Sequence, residues 1–308
     1  MMEKVIICAA VNGNRGQDMG VKVPITPDEI GDEALRCFEA GASIVHFHAR
    51  DKQTGDAILD MSLFSETIHA IRARCKAIVE TTTGSGPKVD PVTRQVVIDP
   101  ITGLRLMPSD DERLMILDID PPQEMSNIAV GSLNAYLRGS RLDGVIYTNS
   151  PYYCRTSAKK LSNKLNSVFQ FEIFDFGFLY NVKRLVEEGY MNLANNNYWF
   201  NFCLGYGGSP ATPRFLANLV NEMQGMFEGR PWGVTAEEVA HYPMARSAVN
   251  MGENIRRTGY EDCVLLPDGS SPRSNAELVA EMVKIIQSSG REVASVDEAR
   301  AFLGLQHK

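Results

Sequence analysis

No apolar run in this chain reaches the roughly 18 residues a membrane helix needs, so no membrane-spanning helix is expected. No long block of basic residues exists either. Lysine and arginine total 31 against 38 acidic residues, for a net charge of −7. That balance disfavours a nucleic-acid groove and an anionic membrane surface. Any anionic ligand must be held by individual arginines and backbone amides. The six cysteines (Cys8, Cys37, Cys75, Cys154, Cys203, Cys263) form no C-x-x-C pair. Such scatter speaks against a disulfide framework and fits a reducing cytoplasm. The opening Met1-Met2-Glu3-Lys4 lacks a signal-peptide layout and leads straight into a strand pattern. Hydrophobic residues at 44% and charged residues at 22% describe an ordinary globular chain, and 308 residues suffice for a large core.

Histidine is scarce, with five in all, yet two stand one residue apart at the end of an apolar run, Ala42-Ser43-Ile44-Val45-His46-Phe47-His48. Side chains alternate along a strand, so His46 and His48 share a face and Phe47 takes the other. Two imidazoles on one face suit a divalent metal. The bland alternative is a satisfied structural histidine with an accidental neighbour. The remaining histidines, His69, His241 and His307, do not supply the extra strand-end ligands of a binuclear barrel hydrolase, whose H-x-H pair also belongs on the first strand.

Strand-length apolar runs alternate with segments of helical period. Strands are expected over 4–11, 43–48, 76–82, 125–130, 168–174, 198–204, 232–235 and 254–258. Helices are expected over 27–40, 63–74, 181–188, 213–226 and 236–251. The first has Thr26 as N-cap, Pro27 at its first position, Glu29 at N3 and Gly41 at its end. Eight β-α repeats in about 250–300 residues favour a single-domain α/β fold, the (β/α)8 TIM barrel, over 1–308. A doubly wound sheet is the alternative. It usually carries G-x-G-x-x-G after the first strand, where this chain has Asn12-Gly13-Asn14-Arg15-Gly16. After strand three, an insertion spans about 85–124. In it, Asp90-Pro91-Val92-Thr93 recurs as Asp99-Pro100-Ile101-Thr102, which suggests an inserted hairpin. It would serve as a lid, a subunit contact or a tolerated surface loop.

Arg257-Thr258-Gly259-Tyr260-Glu261-Asp262 follows the last strand. Adjacent carboxylates are costly to bury without a cation or metal. In a barrel the eighth strand closes beside the first, so Glu261 can join His46 and His48 as a metal ligand. Asp262 is then available as a base, with Arg257 within reach. A solvated acidic pair is the plain alternative. Strand three ends in Glu80-Thr81-Thr82-Thr83-Gly84-Ser85-Gly86, whose hydroxyls and glycines suit an oxyanion or carboxylate pocket. Gly205-Tyr206-Gly207-Gly208 reads either as a phosphate cradle or as a flexible turn.

Together these segments resemble the β-keto acid cleavage enzyme family along nearly the whole chain. The resemblance rests on Ile6-Ile7-Cys8-Ala9-Ala10-Val11-Asn12-Gly13, Pro24-Ile25-Thr26-Pro27-Asp28-Glu29-Ile30, the Val45-to-Asp51 run around the histidine pair, and Thr82-Thr83-Gly84. It continues in Gly131-Ser132-Leu133-Asn134, Glu172-Ile173-Phe174-Asp175-Phe176-Gly177 and the Arg257-to-Asp262 run. It implies a homo-oligomeric (dimer or tetramer) TIM barrel with Zn2+ that converts a β-keto acid and acetyl-CoA into acetoacetate and a new acyl-CoA. By the same resemblance His46, His48 and Glu261 hold zinc, and Asp262 removes the α-proton. Arg257 orients Asp262, and Thr82 stands where the family usually has a substrate-contacting serine. Asn14, Arg15, Thr83 and Gly84 line the substrate's place. Members that act on a 3-keto-5-amino acid in lysine fermentation carry a glutamate for the ammonium group after the first strand. Here that position is Asn14, followed by Arg15, so the expected substrate is neutral or anionic rather than amino. Ala129-Val130 also replaces an expected polar pair in strand four. Two other readings stay open: a metal-dependent keto acid lyase or aldolase without CoA, and a non-catalytic metabolite-binding barrel.

Overall fold

The computed structural model describes residues 4–14, 20–84, 86–88, 90, 92–93, 95–136, 144–164, 166–192 and 197–306. Eight parallel strands form one continuous wall: β1 (Lys4–Ala10), β2 (Ile44–Phe47), β3 (Ile78–Thr81), β4 (Met125–Ala129), β5 (Val168–Ile173), β6 (Asn197–Leu204), β7 (Trp232–Ala236) and β8 (Ile255–Thr258). Pairing runs in chain order from β1 to β7, and β8 pairs back onto β1. The result is a nearly closed (β/α)8 barrel, as the alternation of elements predicts.

The last seam, between β7 and β8, is closed differently. Asn254 N donates to Trp232 O at 2.9 Å, Trp232 N to Asn254 Oδ1 at 3.2 Å, and Val234 N to Glu253 Oε1 at 2.9 Å. Two side chains thus take ladder positions. Gly233 makes the approach possible, because a Cβ there would run into the Ile255 carbonyl.

The barrel interior is layered. Ile6, Ile44, Ile78, Met125, Val168, Trp199 and Ile255 fill the N-terminal end as one apolar cluster. Two residues further along, on the same face of each strand, stand Cys8, His46, Glu80, Asn127, Gln170, Asn201 and Arg257, all buried. Polar side chains in the middle of a barrel need partners or a task. Their position points the chemistry toward the C-terminal mouth, where barrels of this kind build their sites.

The helices pack outside: α1 (Pro27–Glu39), α2 (Met61–Arg74), α3 (Asp110–Leu114), α4 (Pro151–Ser162), α5 (Phe176–Glu187), α6 (Pro213–Met226), α7 (His241–Asn250), α8 (Asn275–Ser288) and α9 (Val296–Leu303). The capping box at Thr26 and Glu29 forms as expected, and Gly41 follows with a positive φ of 117°. α5 begins five residues before its expected start, because Asp175 caps it through Phe178 N. The expected 236–251 helix starts only at His241. Ala236 instead continues β7 beside Leu204, and a short 3-10 turn intervenes.

The insertion after strand three holds no regular strand among the described residues, but its backbone pairs antiparallel over short stretches: Asp90 N donates to Gln95 O and Val97 N to Lys88 O, both at 2.9 Å, while Asp99 N donates to Leu104 O at 2.8 Å and Leu106 N to Val97 O at 2.9 Å. The repeated aspartates each close a local turn, Asp90 Oδ1 accepting from Val92 N and Thr93 N, and Asp99 Oδ1 from Ile101 N and Thr102 N. Within the insertion, Ile98 bridges Arg105 in antiparallel fashion. The pairing stays short because the turn tips pack on nothing: Val92 and Ile101 are 87% and 92% exposed. A short antiparallel pair occurs elsewhere, joining Leu133–Asn134 to Ile146–Tyr147 after β4.

Candidate metal centre and active-site cavity

β2 carries His46, and His48 lies just beyond its end on the same face, with ring centroids 5.4 Å apart. Asn12, after β1, braces the second histidine from both sides. Its Oδ1 accepts from His48 N at 2.9 Å and its Nδ2 donates to His48 O at 3.0 Å. Glu261, after β8, reaches across the closing seam. Its Oε2 is 3.3 Å from His46 Nε2 and its Oε1 3.5 Å from His48 Nε2. One ligand atom from each of the three lies within 4.8 Å of the others. Gly13 leaves Glu261 its space, since a Cβ at that residue would overlap the glutamate side chain.

The donor set fits a divalent metal. A carboxylate can only accept, so the 3.1 Å contact from His46 Nδ1 to Glu80 Oε2 puts the proton on Nδ1. That leaves Nε2, fully buried and without a hydrogen-bond partner, aimed at the Glu261 side. Two imidazoles and a carboxylate with a polarising carboxylate behind one ring is the ligation zinc commonly takes.

Arg257 sits on β8 beneath Asp262. Its Nε and Nη2 reach Asp262 Oδ2 and Oδ1 at 3.0 and 3.1 Å, and Nη2 reaches Glu261 Oε1 at 2.6 Å. Burial pushes the Glu261 carboxyl up, but Arg257 and the two histidines outweigh it and hold the group well below its ordinary value. Burial lifts Asp262 as well. There Arg257 pulls back, Glu261's charge adds to the rise, and the net direction is upward. Burial pushes His46 down, yet the Glu261 carboxylate raises it to about 9, a pull that a cation at the same place would replace.

A single cavity opens above this cluster at the C-terminal mouth. His48, Glu261, Asp262 and Arg257 line it together with Asn14, Thr82 and Gly84. The Thr82 hydroxyl accepts from Gly84 N at 2.8 Å and turns the β3 loop toward the cavity. Thr83 faces elsewhere. Its hydroxyl donates to Asn127 O at 2.9 Å and its N–H to Asn127 Oδ1 at 2.8 Å, and it is not part of the lining. Arg15 lies outside the described residues.

Residues that sequence reasoning passed over also line the cavity. Glu172, at the end of β5, accepts from Asn127 Nδ2 at 2.8 Å, and burial raises its pKa. Tyr206, Tyr147, Phe174 and Leu133 form much of the remaining wall. Strand parity was the available signal for Glu172, which sits two residues beyond the inward-facing Gln170. Gly207 and Gly208 have a packing reason. A Cβ at either would strike the carbonyl of Asn134 or Phe174, so close packing explains both.

A profile of the beta-keto acid cleavage enzyme family matches residues 4–305. The 3-keto-5-aminohexanoate cleavage enzyme of Fusobacterium nucleatum is 31% identical over 307 residues, covering 99% of this chain and all of that protein. The 3,5-dioxohexanoate:acetyl-CoA acetone transferase of Paraburkholderia graminis is 26% identical over 326 residues, covering 98% of this chain and 96% of that protein. Among solved structures, the binary complex of ObcA with oxaloacetate superposes with a TM-score of 0.71 at 16% identity. It covers 92% of this chain and 68% of that one, a likeness of fold alone. With the profile match spanning the barrel from its first strand to its last helix, the chain belongs to the β-keto acid cleavage enzyme family.

Proposed function

We propose that this chain is a zinc-dependent acyltransferase that takes a β-keto acid and acetyl-CoA to acetoacetate and a new acyl-CoA. The observation that carries the reading is the convergence of His46, His48 and Glu261 beside the Asp262–Arg257 pair at the base of one cavity, which His48, Glu261, Asp262 and Arg257 line. Relatives named as keto acid:acetyl-CoA transferases, including the 3-oxoadipate:acetyl-CoA acetyltransferase of Cupriavidus necator, support the acetyl-CoA dependence.

His46, His48 and Glu261 would hold the zinc, which as a Lewis acid makes the α-protons of a bound keto acid more acidic. Asp262 removes one of them as general base, its carboxylate aligned by the two-point contact with Arg257. The α-carbanion adds to the acetyl thioester carbonyl and CoA leaves as thiolate. That thiolate attacks the original keto carbon, the bond to the α-carbon breaks, and the proton on Asp262 returns to the acetoacetate carbon. Thr82 and Gly84 stand where a substrate oxygen needs a donor. Asn14 lines the cavity where an ammonium-binding member needs a carboxylate, which supports a neutral or anionic side chain. The same reading includes a homo-oligomer and a cytoplasmic location. Exposed apolar residues on the 92–106 segment support the first, and six free cysteines support the second. Among the described residues, no helix is long and apolar enough to cross a membrane.

The test is acetoacetate release from acetyl-CoA and a panel of amino, alkyl, hydroxy and dicarboxylic β-keto acids by the zinc-loaded protein. Turnover with a non-amino class, falling at least 100-fold in Asp262→Asn without loss of bound zinc, is expected. Keto acid cleavage without acetyl-CoA would favour the lyase reading. Binding without any turnover would favour the metabolite-binding barrel.

A further inference from the structure

Tyr206 holds a hydroxyl that the chemistry above leaves unused. The side chain is 8% exposed, its oxygen is buried, and it has no hydrogen-bond partner, yet the residue lines the cavity alongside Asp262 and Arg257. A buried hydroxyl without a partner is costly, so its persistence calls for a ligand or a task. Burial, with Asp262's charge adding to it, holds the phenol well above its ordinary pKa, so it stays protonated as a donor.

The loop that carries Tyr206 is built to aim it. Gly207 packs so closely on the Asn134 carbonyl, and Gly208 on that of Phe174, that neither tolerates a Cβ. Tyr136 N donates to Tyr206 O at 3.4 Å, Ser209 N to Phe174 O at 2.7 Å, and Gly205 N to Ser209 O at 2.9 Å. The ring then rests edge-on against Phe174, with centroids 6.4 Å apart. Backbone contacts on both sides and a ring contact below leave the hydroxyl little freedom. Gly207 and Gly208 of the Gly205-Tyr206-Gly207-Gly208 loop thus help fix the Tyr206 side chain.

We propose that the Tyr206 hydroxyl is a substrate-contacting donor, bonding a carbonyl or carboxylate oxygen of a bound reactant. The proposal rests on the acyl-transfer reading, since it places that oxygen on either the keto acid or the acetyl thioester. Both present the same acceptor chemistry, and the experiment separates them.

Tyr206→Phe removes the oxygen and keeps the ring against Phe174. Three quantities are compared with wild type: melting temperature, keto acid binding by calorimetry with no acetyl-CoA present, and kcat and KM for each substrate. The expected result is an equal or higher Tm with kcat/KM reduced about 10- to 100-fold. Weaker keto acid binding in calorimetry would place the contact on the acid. Unchanged acid binding with a raised acetyl-CoA KM or a lowered kcat would place it on the thioester. A lower Tm would mean the hydroxyl has a structural partner, and unchanged kinetics would mean it touches no reactant. Either overturns the proposal. Wild type inactive on every acid would instead refute the acyl-transfer reading, and the calorimetric arm would still report whether Tyr206 contacts the acid.

Discussion

Beneath the three proposed metal ligands, one carboxylate serves several donors at once. Glu80 faces His46 Nδ1 at 3.1 Å and accepts from the Cys8 thiol at 3.7 Å. Gln170, with its amide turned as its neighbours require, donates to both Glu80 oxygens at 2.6 and 3.1 Å and accepts from Asn201 Nδ2 at 2.5 Å. Thr235 completes the chain by donating to Asn201 Oδ1 at 2.9 Å. A group surrounded by donors cannot become an amide without placing an N–H against another N–H or S–H. Glu80→Gln should therefore loosen the His46 ring and cut zinc affinity about 10- to 100-fold, leaving the Asp262–Arg257 pair intact. Competition for zinc with a chromophoric chelator measures this. An unchanged affinity would mean that His46 is not oriented from below. The histidine pair and Glu261 were legible in sequence because strand parity and barrel closure are simple geometric rules. Glu80 was visible only as part of a motif, since its role depends on three neighbours from three other strands, Cys8, His46 and Gln170.

At the scale of elements, the insertion after β3 is fastened to the cavity wall by Arg113 of α3. Its Nε donates to Thr83 O at 3.0 Å, Nη1 to Thr148 O at 2.9 Å and Nη2 to Asn149 Oδ1 at 2.7 Å. Its guanidinium lies 4.0 Å from the Tyr153 ring centroid and 5.5 Å from that of Tyr147, a cavity residue. Arg113→Met removes a nearly buried cation and strands three acceptors, at a cost of about 2–4 kcal/mol. Urea unfolding checks that figure, and a loss below about 1 kcal/mol would mean the insertion is held by other contacts. Sequence reasoning found most of the strands as apolar stretches of strand length, and the alternation with helical segments pointed to the eighth, Ile255-Arg256-Arg257-Thr258, which is mostly polar. In the insertion the Asp-Pro repeats announced the turns, which form with short antiparallel backbone bonds around them, but not what holds the segment to the barrel. The anchor escaped notice because Arg113 meets Asn149 across 36 residues.

At the scale of the molecule, the barrel closes at a seam held by a buried carboxyl, so its strength is expected to vary with pH. Val234 N is satisfied by the Glu253 carboxylate rather than by a strand carbonyl, and the other carboxylate oxygen faces Arg256 Nη1 at 3.6 Å. Both side chains are buried at 0–1% exposure. Burial pushes Glu253 up from 4.5 to about 7, against the pull of Arg256. A carboxyl whose pKa is higher folded than unfolded gives its full stabilisation below about pH 4.5 and loses it as pH rises through about 7. The gap corresponds to about 3 kcal/mol between those limits. Glu253→Gln keeps an acceptor for Val234 N and removes the titration. Variant and wild type should therefore melt together near pH 5. By pH 8 the variant should melt several degrees higher, with both proteins zinc-loaded. A difference that stays constant with pH would show that Glu253 keeps the same charge across that range. A difference of the opposite sign would show that the charged form strengthens the clasp, with Arg256 outweighing the cost of burial. Since Glu253 and Asn254 lead into β8, and β8 leads into Glu261 and Asp262, the state of this clasp bears on how firmly the mouth of the barrel holds its proposed ligand and base.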